Sequence, residues 1–124
     1  MNAFKAARES LADALTGIGA NVYEYPPEMV GTPAVVVVVD DPMAEPLVIG
    51  SRLRFAANYK LMVCVAPMTN LGSLEAVEEL VIEVLGALPA NVLVGPVAAP
   101  IVTQVGQSDL VVCEIPVQVQ TEES

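Results

Sequence analysis

The chain has no histidine and no tryptophan, and it has no lysine or arginine after Lys60. Without His, the Ser-His and Cys-His nucleophilic pairs are excluded. A zinc site would have to be built from carboxylates and two distant cysteines, a poor donor set for that ion. There is no GxxxxGK[ST] and no GxGxxG segment. Gly17-Ile18-Gly19 closes a helical pattern instead of opening one, so it cannot cradle a phosphate. Cys64 and Cys113 lack CxxC spacing and lie inside apolar runs. Buried free thiols in a reducing cytoplasm are the favoured reading, with a bridge between neighbouring strands as the alternative. MNAFKAARES has no apolar core of a signal peptide. The uncharged run from Val84 to Ser108 is interrupted by Pro89, Pro96 and Pro100, so one spanning helix is excluded.

Charge is scarce and lopsided. Only 16% of residues are charged, against about 25% in an ordinary domain. All five bases (Lys5, Arg8, Arg52, Arg54 and Lys60) lie in the first half, beside seven acids. The last 64 residues hold eight acids and no base. Those acids are expected to lack local partners, leaving their field to solvent, to a partner, or to a role that uses negative potential. A net charge of −10 opposes binding to nucleic acid or anionic lipid through a basic patch.

Apolar residues are abundant: 54% of the chain, with a mean hydropathy of +0.59. At 124 residues the expectation is a single domain, residues 1–124, with one core. Small aliphatics in this excess point to a subunit that buries surplus apolar surface against copies of itself or a partner. A valine-rich monomer core is the alternative.

Periodicity orders the elements. Residues 2–16 form an amphipathic helix with Phe4, Ala7, Leu11, Ala14 and Leu15 inward. Asn21–Tyr25 is a short strand ended by Pro26-Pro27. Ala34–Val39, five of its six residues valine, suits a strand covered on both faces. Asp40-Asp41-Pro42 is expected to end it. Residues 40–54 are then an extended arm, whose apolar Leu47-Val48-Ile49 is expected to pair or to meet a partner. Leu53–Val65 alternates cleanly as a long strand, expected to pass its neighbours or bend. A second helix runs from an N-cap at Ser73 to Leu88, with Leu74, Val77, Val81, Leu85 and Leu88 as its inward stripe, widened by Leu80 and Val84. Val92–Val94, an interrupted strand over Val97–Val105 and Leu110–Val119 follow, Pro116 implying an edge position at least at that residue. Residues 120–124 are expected to fray. The fold class is α+β: a mostly antiparallel sheet with two helices on one face, in the order α-β-β-(arm)-β-α-β-β-β.

Three groups of residues are candidate sites. Asp40, Asp41 and Glu45 could ligate a hard cation, but Asp-Asp-Pro is also a common turn composition. Arg52 and Arg54 are either solubilising surface or partners for acids on a neighbouring subunit. Glu75, Glu79 and Glu83 recur at helical spacing. They are either a solvated face or a wall of negative potential.

The arrangement resembles the tail terminator proteins of long-tailed, siphovirus-type bacteriophages. The residues that carry the resemblance are an amphipathic helix leading to Val22-Tyr23, the Pro26-Pro27 break, Pro33-Ala34-Val35-Val36-Val37, the arm, the Phe55–Val63 strand, a helix over 74–88 and the closing Ile115–Val119. The likeness spans residues 4–120 and is one of pattern and size, in a chain unusually poor in aromatics and bases for it. It implies a virion structural protein without enzymatic activity or cofactor: a homo-oligomeric ring, usually a hexamer. Such a ring caps the tail tube, halts its polymerisation and offers the head-joining surface. It would assemble in the host cytoplasm and reside in the virion tail or neck. The implied partners are further copies, the major tail tube protein and a head–neck connector or stopper, with DNA passing nearby unbound and no membrane. On this reading the arm residues Asp40, Asp41, Glu45, Leu47, Val48, Ile49, Arg52 and Arg54 face a partner or the tube. Glu75, Glu79 and Glu83 would face the channel, repelling DNA so that it slides without adhering. The alternatives are another neck component, such as a stopper or head-completion protein, and an acidic module that binds a basic partner.

Overall fold

The computed structural model describes residues 2–49 and 53–123, without the side chains of Val48, Ile49, Asn70 and Glu123. Two helices, α1 (Ala3–Ala14) and α2 (Asn70–Ala87), lie against a six-stranded sheet. Its strands are β1 (Asn21–Tyr23), β2 (Ala34–Ile49), β3 (Leu53–Val65), β4 (Val92–Val94), β5 (Ile101–Val105) and β6 (Ser108–Glu123). The spatial order is β1-β2-β3-β6-β4, with β5 also pairing β6. Only β1–β2 is parallel. The α+β class and the element order are those expected from periodicity.

The two-residue alternation of β3 and β6 sorts their side chains. Phe55, Ala57, Tyr59, Leu61 and Val63 meet Cys113, Ile115, Val117 and Val119 on the helical face. Ala3, Ala7 and Leu11 of α1 and Leu15 at its C-cap close over them, as do Val77, Leu80 and Val84 of α2. Helix α1 starts where Asn2 Oδ1 accepts the Lys5 N–H at 2.7 Å, satisfying one free amide of the first turn. Two contacts then lock its first turn to β3. The Tyr59 hydroxyl donates to the Phe4 carbonyl at 2.9 Å, and the Phe4 and Phe55 rings lie 4.6 Å apart.

The valine run is covered on both faces over Ala34–Val37, the reason it does not alternate there, while Val38 is half-buried and Val39 exposed. Val35 and Val37 face the helices, while Ala34 and Val36 join Val30, Cys64, Val105, Leu110 and Val112 in a second, smaller cluster. The β5–β6 turn closes that cluster. Gly106 there has φ +63° and presses against the Glu28 carbonyl.

Several boundaries differ from the sequence expectation. Asp40-Asp41-Pro42 does not end β2. Val39 pairs with Tyr59 and Ala44 with Ala57, so the turn-forming residues are absorbed as a bulge and the ladder resumes. The arm is therefore sheet, and within it Val48 pairs with Arg54 and Ile49 with Leu53, the pairing expected of that apolar segment. β3 does not outrun its neighbours, because β6 pairs with it from Val65↔Val111 to Leu53↔Glu123. The same pairing holds residues 120–123, expected to fray, in the sheet; Ser124 lies outside the described residues.

Strand β6 is interior to the sheet as a whole, but at Pro116 itself only β3 pairs with it, so the residue is locally at an edge as expected. Its carbonyl accepts the Gly95 N–H at 2.8 Å, so its missing N–H points the same way, into the gap where β4 has ended and β5 has not begun. Helix α2 begins one turn early: Thr69 is the N-cap, accepting the Gly72 N–H at 3.1 Å. Ser73 lies within the helix, its buried hydroxyl accepting the Met68 N–H at 2.7 Å.

Candidate interaction surface

The arm is a three-stranded continuation of the sheet, made by the ends of β2, β3 and β6. On its polar face Glu45 is already engaged. Glu45 Oε2 accepts Gln118 Nε2 at 2.7 Å and Asn58 Nδ2 at 3.3 Å. Asn58 also donates to the Pro42 carbonyl at 3.0 Å and accepts from Gln118 at 3.0 Å. One residue from each strand thus pins the bulge. Asp40 is occupied locally, its Oδ1 accepting the Asp41 N–H at 2.8 Å, and Asp41 is exposed. The three acids do not converge, and no group of three metal-binding side chains occurs among the described residues.

Arg54 stands opposite Glu122 in register, with its Nε 4.0 Å from the carboxylate. Lys60 lies 3.2 Å from Glu114. The expectation that second-half acids lack partners is thus corrected at these two positions. Antiparallel pairing of β3 with β6 carries first-half bases onto them, a juxtaposition no local window contains. Each pair is partly exposed and adds little to stability. Leu47 and Leu53 present apolar surface at the outer part of the arm. The side chains of Val48 and Ile49, and Arg52 altogether, lie outside the described residues.

On α2, Glu75, Glu79 and Glu83 are exposed together, as the spacing implies. None has an ion pair among the described residues, nor does Glu78. The inward stripe is rotated from the one read in the sequence. Val77, Leu80 and Val84 are buried, Val81 and Leu88 half-buried, while Leu74 and Leu85 are exposed. With Leu71 and Ile82 they form a second apolar ridge on the flank of the helix. Leu74 and Ile82 of this ridge wall a groove of about 830 Å³ whose other side is Val97, Ala98 and Pro100 and whose floor includes Val81 and Cys113. Glu75, Glu78 and Glu79 rim it. Beyond it the β5 strand leaves Ile101 and Val102 exposed.

The groove exists because residues 95–100 hug β6 without joining it. Its two bonds there are Gly95 N–H to Pro116 O at 2.8 Å and Ala98 N–H to Glu114 O at 2.9 Å. Pro96 and Pro100 have no N–H to add. Sequence reasoning missed this groove. The available signal was an excess of apolar residues on α2, at 71, 74, 82 and 85, beyond what one stripe can bury.

The two thiols cannot bridge. Cys64 pairs with Val112 and Cys113 with Val63, so the side chains leave opposite faces of the sheet. Burial pushes the Cys64 thiol up to about 12. It also raises Cys113, with the Glu78 charge adding to the shift. Both are inert as nucleophiles near neutral pH.

No protein-family model matches the chain, and no curated protein sequence matches it either. Among the described residues, no helix is long and apolar enough to cross a membrane.

Proposed function

We propose that this chain is a non-enzymatic structural subunit of the tail-terminator kind, which joins copies of itself into a ring, most simply a hexamer. The ring would cap a phage tail tube, stop its growth and present the head-joining surface. One observation carries the reading. Exposed large aliphatics run along one flank, from Leu71, Leu74, Ile82 and Leu85 of the α2 ridge across the groove to Val97, Ile101 and Val102, beside an open sheet edge. Contiguous apolar surface of this kind marks a protein contact. The projecting arm supplies a second contact element, reaching from the base at Asp40 and Asp41 to Leu47 and Leu53. The unpaired acids of α2 fit a channel that DNA must traverse without adhering, and six copies at −10 each would carry −60.

The test is native mass measurement and electron microscopy, with and without tube protein. The expected result is a ring of defined stoichiometry, alone or on tube ends, and tubes that stop growing when it is added. A second experiment replaces residues 47–54 with Asn-Gly, joining Pro46 to Phe55 through a two-residue hairpin turn. Because Pro46 pairs with Phe55, the shortened chain should fold but no longer cap tubes. Normal capping by that variant would refute the arm's role. A chain that stays monomeric with tube protein, yet forms a salt-sensitive 1:1 complex with a basic protein, would favour the acidic binding module. Glu75, Glu78, Glu79 and Glu83, exposed and without an ion pair among the described residues, are the feature that keeps that second reading in view.

A further inference from the structure

The outer ridge of α2 carries an acid at its centre. At about 100° per residue, Leu71, Leu74, Glu78, Ile82 and Leu85 fall in one line along the helix, and each is exposed. That line is about 21 Å long, at roughly 1.5 Å per residue. Glu78 lines the groove beside Leu74 and Ile82, and its charge reaches the Cys113 thiol on the floor. Glu75, Glu79 and Glu83 turn progressively away from it, by about 60°, 100° and 140°. A further hollow of about 400 Å³ shares Leu74 and Pro100 with the groove and reaches Met68 and Ile101 with no charged residue in its lining. Any partner that covers this ridge also takes the Glu78 carboxylate out of water, which is costly unless a cation meets it. A second copy is poorly equipped to supply one. Each of the four described bases already has an acid within 4.0 Å in its own chain: Lys5 with Glu9, Arg8 with Glu24, Arg54 with Glu122 and Lys60 with Glu114. Two α2 ridges would set Glu78 against acids alone, since α2 has no base. An added strand would find no ladder in the groove either. The interior backbone of α2 is engaged within the helix, Gly95 and Ala98 give their N–H groups to β6, and Pro96 and Pro100 have none. A helix, whose backbone is satisfied internally, needs no such ladder.

We infer that the groove between α2 and residues 97–100 is the docking site for an apolar helix of a different protein, one that carries a lysine or arginine within its aliphatic stripe, opposite Glu78. Its aliphatic side chains would lie between the α2 ridge and Val97, as one helix packs along another. Its cation would fix register and direction, which an apolar contact alone leaves loose. The contact goes beyond the ring reading and does not rest on it. A ring would keep the arm and the outer edge of β5, which pairs only with β6, for contacts between copies.

Two pools of synthetic helical peptides test this on the whole chain. Their members are about 18 residues long, with mixed Leu, Ile and Val along the stripe and Ala and Gln elsewhere. The central stripe position is lysine in one pool and glutamate in the other. Immobilised protein should retain members of the lysine pool at least about tenfold more tightly than any of the glutamate pool. Glu78→Lys should reverse that preference. General attraction of a cation to an acidic chain would not reverse, because the variant remains strongly acidic. Ile82→Asp should weaken lysine-pool binding at least about tenfold, from the lost burial of one large aliphatic side chain. Its circular dichroism should be unchanged, because Ile82 is 70% exposed. Retention of neither pool overturns the inference, as does lysine-pool binding that survives both substitutions. Thiol labelling of Ile82→Cys, with Cys64 and Cys113 buried, separates it from the ring reading. A ring in which that thiol is protected, while dispersed subunits react, gives the groove to a second copy; it overturns this inference and leaves the ring standing. The expected peptide binding by a chain that never self-associates, with or without tube protein, sustains this inference and overturns the ring.

Discussion

The rotation of α2 makes a sharp prediction, because two residues two positions apart should behave oppositely. Leu80 is 5% exposed and packs in the helix–sheet core, while Ile82 is 70% exposed on the ridge. Leu80→Ala removes buried methyl groups from a site held by β3 and β6 and should cost about 3 kcal/mol. A domain of 124 residues has an unfolding entropy of roughly 0.26 kcal/mol/K, from about 2.1 cal/mol/K per residue. The loss therefore lowers Tm by about 12 °C, within the stability of an ordinary domain of this size. Ile82→Ala removes surface already in water and should change stability by less than ~0.5 kcal/mol, or about 2 °C. Urea and thermal unfolding should be followed at a concentration low enough for single subunits, so that assembly does not raise the apparent stability. If Ile82→Ala costs as much as Leu80→Ala under those conditions, the ridge is buried in the subunit itself. The groove would then not be a surface for docking.

Three further outcomes follow from the packing. Tyr59→Phe removes the buried bond that ties β3 to the Phe4 carbonyl and should cost about 1 kcal/mol in urea unfolding; an unchanged midpoint would show that α1 is not anchored there. Gly106→Ala should lose more than ~2 kcal/mol or fail to fold, since its positive φ disfavours a side chain and the added Cβ would meet the Glu28 carbonyl; a thermal scan decides it. Stability should fall in alkali. The Cys64 thiol rises from 9.0 to about 12 on folding, and Cys113 and Tyr59 rise as well, all through burial first. The native state therefore holds protons that the unfolded chain releases, so stability is full below pH 9 and declines as pH climbs from there toward 12. Urea midpoints at pH 8 and pH 10.5 should differ, and Cys64→Val should remove part of the difference; equal midpoints in the parent protein would refute the burial argument.

Much of the architecture was written in local patterns. Alternation over Leu53–Val65 and Leu110–Val119 and the amphipathic first helix each report a periodicity that one face of burial imposes, the unbroken valine run reports burial on both faces, and a window of residues is enough to read them. The lack of His and the one-sided distribution of bases were equally plain, and they narrowed the chemistry before any fold was considered. What the pattern could not supply was anything decided by non-neighbours. The bulge at Asp40–Met43 replaces a turn because β3 offers a ladder on which β2 can resume. Residues 120–123 are ordered because they meet Leu53–Ala56. Glu114 and Glu122 gain cations because antiparallel pairing folds Lys60 and Arg54 onto them. Helix α2 illustrates the division best. Its composition determined that it is a helix with more apolar surface than one stripe requires, but only its seating on β3 and β6 decided which residues enter the core. Helical spacing fixes the angles between side chains and leaves the rotation of the cylinder free, so Leu74, Ile82 and Leu85 were left outside, the first two walling the groove.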